Sequence, residues 1–186
     1  MNYNEKLQKA IRLIESISEY SGRIVAWLVL VMVLVIGYDV TTRYVFQIGS
    51  VALQELEWHL FSLVFLLGAA YTLKHDGHVR VDIIYRSGKI NDKHRAWIDL
   101  LGTIFFLIPF CLLIIISAWP FVNNAYNFAE GSPDPGGLPY RYLLKAVIPF
   151  GFGLVLLQGL AIILRCITVI LAPPPSTSQT TTDGPA

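Results

Sequence analysis

Four apolar stretches, at 24–46, 51–73, 100–120 and 146–164, are each about as long as a bilayer is thick and take up much of this 186-residue chain. A helix needs roughly 20 mainly apolar residues to cross a hydrocarbon core of about 30 Å. Backbone polar groups are satisfied there only in helices or closed barrels, and runs this long without alternation are helical. The expected fold is therefore an all-α integral membrane protein of four transmembrane helices. Their limits are read as about 24–46, 51–73, 97–120 and 142–170, within a membrane domain at 23–171.

Composition agrees with this. The chain is 54% hydrophobic and 15% charged, against about 25% charged in a soluble domain, and its mean hydropathy is +0.56. The charge is concentrated between the spans. The net charge of +1 carries no indication of nucleic acid, and no basic patch interleaved with aromatics is present. Cys111 and Cys166 lie in or at the end of apolar spans and read as small buried hydrophobes. The first stretch runs into Asp39-Val-Thr-Thr-Arg43 with no small-x-small cleavage site, so it reads as a retained span.

Residues 1–22 precede the first span. Leu7, Ala10, Ile11, Ile14 and Ile17 form a helical stripe, with Glu5, Lys6, Lys9, Arg12, Glu15 and Glu19 largely elsewhere. This predicts an amphipathic helix in the membrane interface; docking on a cytoplasmic partner is the alternative. The turn at 47–50 is short enough to force a tight hairpin between spans one and two. Gly68, Ala69 and Thr72 put small side chains on span two, which lets membrane helices approach closely. Residues 79–83 alternate apolar and polar, suggesting a short extended or surface-lying piece. Pro109 and Pro120 predict a kink or a stop in span three. The Pro/Ser/Thr-rich tail, 172–186, reads as disordered.

Lysine and arginine distribution sets the orientation. Lys6, Lys9, Arg12, Arg23, Lys74, Arg80, Arg86, Lys89, Lys93, Arg95 and Arg165 fall on one side; Arg43, Arg141 and Lys145 fall on the other. The positive-inside rule puts the first group, and both termini, in the cytoplasm.

Ionisable residues within spans are the first candidates for function. Asp39, Arg43, Glu55, Glu57 and His59 fall near the outer ends of spans one and two. Asp39 and Arg43 are four apart and share a helix face, and Glu55 or Glu57 is within reach of Arg43 across the hairpin. A salt-bridge cluster fixing the hairpin or a subunit contact is preferred to an ion relay, because no acidic residue lies at mid-membrane depth. His75, Asp76, His78 and Asp82 are too loosely spaced, without cysteine, to argue for zinc. No phosphate loop, triad or catalytic carboxylate pair is present, so the chain reads as non-catalytic and without cofactor or metal.

Arg43-Tyr-Val-Phe46, Glu55, Leu67-Gly-Ala-Ala70 and Gly77-His-Val-Arg-Val-Asp82 follow one another in order and spacing. Together with four spans, an amphipathic arm and the Ser132–Pro139 loop, this pattern resembles the small membrane subunit (DctQ-like, Q subunit) of tripartite ATP-independent periplasmic (TRAP) transporters. The resemblance implies a bacterial inner-membrane scaffold for a large membrane subunit (DctM-like, M) that holds the substrate and sodium sites and moves as an elevator. It implies a periplasmic substrate-binding protein (P) that delivers an organic anion. It assigns no substrate, sodium or catalytic residue to the small subunit. Asp39, Arg43, Glu55, Glu57, Gly68, Thr72, His78 and Asp82 are the candidates for structural or subunit contacts, and membrane lipids are the remaining partner. A self-sufficient homo-oligomeric exporter is the alternative reading, and a four-helix electron carrier a more distant one.

Overall fold

The computed structural model describes residues 3–77 and 91–171. His78, Asp82, the alternating piece at 79–83 and the tail from 172 lie outside the described residues. Every element among those described is helical. Helix α1 is Tyr3–Val45 and α2 is Val51–Lys74. The third span is composite: α3, Asp92–Gly102, passes through a five-residue π turn, Thr103–Leu107, into α4, Ile108–Asn127. Helix α5 is Arg141–Leu171. Among the described residues, four helical stretches, ending at Val45, Lys74, Asn127 and Leu171, are long and apolar enough to cross a membrane.

The amphipathic arm is not a separate element. It runs into the first span as one 43-residue helix. At 1.5 Å per residue that is about 64 Å, beyond the roughly 40–45 Å of a bilayer with its headgroups. Arg43 and Val45 belong to the hairpin with α2, so the surplus lies on the N-terminal side. Both patterns share the 3.6-residue period, and no proline separates them, so nothing in the sequence ends the first helix before the second begins.

Span three stops at neither proline. Pro120 does not end it; α4 continues to Asn127. A membrane helix tolerates proline because neighbouring helices and local adjustments re-satisfy the freed carbonyl. Pro109 sits just after the π turn, where its ring would otherwise press on the carbonyl of Phe105; the wider turn absorbs that clash.

Helix α5 is the centre of the bundle. It packs against α1, α2, α3 and α4, whereas α1 packs mainly on α2. Its span is the most buried of the four and that of α1 the least. Ala96 and Leu100 of α3 meet Cys166 of α5, with Ile162, Ile163 and Ile170 around them. Both cysteines are free and buried, in keeping with their reading as small hydrophobes. Gly151 lets α5 approach α2 closely: a Cβ there would fall 2.8 Å from the backbone oxygen of Leu66, whereas one at Gly153 would meet nothing within 4 Å. Gly151→Ala is therefore expected to cost about 1–3 kcal/mol by overpacking. Gly153→Ala should be near neutral, and thermal unfolding in detergent compares the two directly.

Candidate functional site

The charged and polar side chains gather at the two ends of the bundle. At the end formed by the 47–50 turn and the 128–140 loop, the outer turns of α1 and α2 meet that loop. Arg43 pairs with Asp39 one helical turn below it, and Asp39 is only 3% exposed. Across the hairpin, Gln54 turns its amide oxygen to both guanidinium nitrogens, at 2.6 and 2.9 Å. Glu55 does not take that place. One residue further along α2 is about 100° around the helix, so Glu55 faces the loop instead.

There the Glu55 carboxylate is 5% exposed and organises a turn far away in sequence. The Ser132 hydroxyl donates to Oε1, and the Leu138 backbone N–H donates to Oε2 at 2.6 Å. Proline- and glycine-rich sequence makes that cradle possible. Gly136 takes a left-handed φ of 82°. At Gly137 any Cβ would collide with the Ser132 hydroxyl and come within 2.7 Å of Glu55 Oε2. The loop closes on itself through Ser132 N–H to the Leu138 carbonyl at 3.0 Å. Its exit is held by Arg141, 5.4 Å above the Trp58 ring, and by Lys145, which pairs with Glu130 and sits 3.9 Å over Phe121. Asp39 Oδ1 and Glu57 Oε1 are buried without a hydrogen-bond partner, which makes Asp39 depend on Arg43 for compensation of its charge.

At the opposite end the arm is tied to α2 and α5. Glu19 accepts from Lys74 at 2.6 Å and lies 3.2 Å from His75. Arg165 pairs with Glu15. One turn deeper, the Ser18 hydroxyl donates to Gln158 Oε1 at 2.8 Å, with Gln158 2% exposed. In apolar surroundings a satisfied polar pair of this kind fixes which helix faces meet. Tyr71 fills the space left by Gly22, and Val25 lies 3.7 Å from where a Cβ would stand on Gly68.

The predicted residues therefore separate. Asp39 and Arg43 form one pair, Glu55 belongs to the loop, and Glu57 bonds to neither. Gly68 meets α1 within the chain, and Thr72 donates its hydroxyl to the Gly68 carbonyl at 3.0 Å. Ser18, Gln54, Gln158, Ser132 and Glu130 were not anticipated as partners. Among them, Ser132 lies in the loop that the sequence pattern includes, and Gln158 is a lone polar residue in an apolar span.

Two comparisons with known proteins bear on this arrangement. A family model described as "Tripartite ATP-independent periplasmic transporters, DctQ component" matches residues 32–169, most of the chain. The chain belongs to the DctQ family. Members of this family are transporter components and not enzymes, in line with the absence of catalytic groupings in the sequence. A protein of Haemophilus influenzae described as a TRAP transporter small permease is 31% identical over 110 residues, 59% of this chain and 66% of that relative's own length. The chain thus spans just under two thirds of the relative. No solved structure matches it. The DctQ match includes Asp39, Arg43, Glu55 and Gln158, whereas Glu15, Ser18 and Glu19 precede it.

Proposed function

We propose that this DctQ-family chain is the stationary small permease subunit of a TRAP transporter in a bacterial inner membrane, with both termini cytoplasmic. In this reading it holds a large DctM-like membrane subunit in place. That subunit, fed by a periplasmic substrate-binding protein, carries out sodium-coupled uptake of an organic anion. The observation that carries the proposal is where the polar groups are spent. Asp39, Arg43, Glu55, Lys74, Lys145 and Arg165 lie at the bundle's ends and are engaged by Gln54, Ser132, Glu19, Glu130 and Glu15 of the same chain. Further in, the buried polar side chains Gln158, Ser21 and Thr103 are likewise engaged within the chain, by Ser18 and by the backbone carbonyls of Ser18 and Asp99. A transport route needs polar groups that exchange partners with a moving solute; here such groups fasten helices to one another and to a loop. Asp39, Arg43, Glu55, Glu57, Gly68 and Thr72 serve, in this reading, to shape the face the large subunit meets.

Purification of the tagged chain from native membranes in mild detergent is expected to bring down a large polytopic subunit. Recovery as a homo-oligomer alone would support the self-sufficient exporter instead. Orientation has its own test. Asp134→Cys, in the exposed loop, should react with an impermeant maleimide added to spheroplasts, and Asp92→Cys should react only after the membrane is opened. The reverse pattern would invert the topology.

A further inference from the structure

Helices α2 and α4 both pack on α5 and little or not at all on one another. This leaves a groove of about 840 Å³ with α5 as its floor, where Gly151 and Phe152 lie, and with Phe65 and Leu73 on one wall and Phe106 and Phe110 on the other. The π turn forms part of the second wall, and its Phe106 stands exposed at the rim opposite the exposed Phe65. We propose that this groove holds the acyl chains of a phospholipid from the leaflet on the side of the chain termini, retained as a structural component of the protein. The inference itself rests on the helices crossing a bilayer; its test uses the complex with the large subunit and to that extent rests on the proposed function, whose failure the co-purification above would show separately.

Depth selects this occupant. The lining begins at Leu73 and Ile98, at the end carrying the termini, and stops at Cys111 and Gly151. From Ile98 to Cys111 on the third span that is about 20 Å, from Phe65 to Leu73 on α2 about 12 Å, and from Gly151 to Val155 on α5 about 6 Å. All three stop short of the hydrocarbon core of about 30 Å. A helix from another subunit would run the full thickness and find a groove for only part of its length, whereas an acyl chain entering from one leaflet needs no more. Chemistry selects it too. The polar side chains of the lining, Asp99 and Thr103, lie in the half nearer the termini, where Thr103 donates its hydroxyl to the Asp99 backbone carbonyl at 2.7 Å. Further in, the walls offer nothing to a polar partner. Hydrocarbon fills an open apolar groove of this kind without desolvating anything.

Gly102 lines the groove, and a Cβ there meets nothing within 4 Å, so a side chain can be grown into the space without disturbing the backbone. The full-length complex is reconstituted into nanodiscs of phosphatidylethanolamine and phosphatidylglycerol carrying phosphatidylethanolamine with brominated acyl chains. It is then released into detergent and examined by native mass spectrometry. Bound phospholipid should persist through washing in the unaltered protein. Gly102→Phe excludes at least two methylenes of the chain and should lower occupancy about tenfold, with Gly102→Leu intermediate. Unchanged retention in both variants would overturn the proposal. So would loss of the large subunit with the lipid still bound, which would give the groove to a partner's helix. Independently of any variant, electron cryomicroscopy of the unaltered complex should show bromine density between α2 and α4, and its absence there would equally refute the assignment.

Discussion

Arg43→Ala is expected to destabilise the membrane domain by about 3 kcal/mol, the lower end of the roughly 3–5 kcal/mol seen when a buried ion pair loses one partner. The lower end applies because the Arg43 side chain is 39% exposed and headgroup water screens its part of the pair. Its partner is not so placed. Asp39 is buried, its Oδ1 has no hydrogen-bond partner while its Oδ2 is held by Arg43, and the Gln54 amide would lose its donors in the same step. The effect should appear as a lower thermal midpoint in detergent and less assembled complex in membranes. Asp39→Asn in the Arg43→Ala background removes the stranded charge and should restore much of the loss, a coupling that a double-mutant cycle measures. Normal stability in Arg43→Ala, or no recovery in the double variant, would show that the pair does not hold the hairpin. An altered ion stoichiometry with normal assembly would point to a relay instead.

How much of this was legible in the sequence depends on the range of the interaction. Spans two and four were readable almost to the residue because hydropathy is summed over some 20 positions and each is bounded by polar or turn-forming sequence. The end of span one was readable for the same reason. Its beginning was not, since an amphipathic helix and an apolar one join without a change of period. The Asp39–Arg43 pair was visible because it is local, four residues apart on one helix. The partner across the hairpin was misjudged by a single residue: Gln54 faces Arg43 while Glu55 turns to the loop, and a step of about 100° per residue decides between them. The Glu55 contacts with Ser132 and Leu138 span 77 and 83 residues. No periodicity encodes these contacts, because they exist only once α5 has brought the loop back over α2. Gly137 belongs with them: a turn-former in the sequence, it is in the fold the position where no side chain fits beside Glu55.

The scaffold reading gathers these features into one physical role. Trp27, Trp58, Trp97 and Trp119 all face outward, two toward each end of the bundle, where aromatics hold helices at the membrane interface. The ends are cross-braced by charge, and the middle is apolar apart from a few hydrogen-bonded groups such as Gln158 and Thr103. An elevator transporter needs a part that stays still while another crosses the membrane, and in the proposed reading this chain is that part. The second large effect follows from this. Removing the chain should abolish uptake by the complete system, whereas the chain alone should move no solute.

The direct measurement is sodium-driven uptake into liposomes containing the large subunit, with the binding protein and its substrate supplied outside. Uptake should be robust when this chain is reconstituted with the large subunit and at background when either membrane protein is present alone. Undiminished uptake by the large subunit alone, at equal reconstituted amount, would contradict the scaffold role, and so would solute movement by this chain in liposomes of its own.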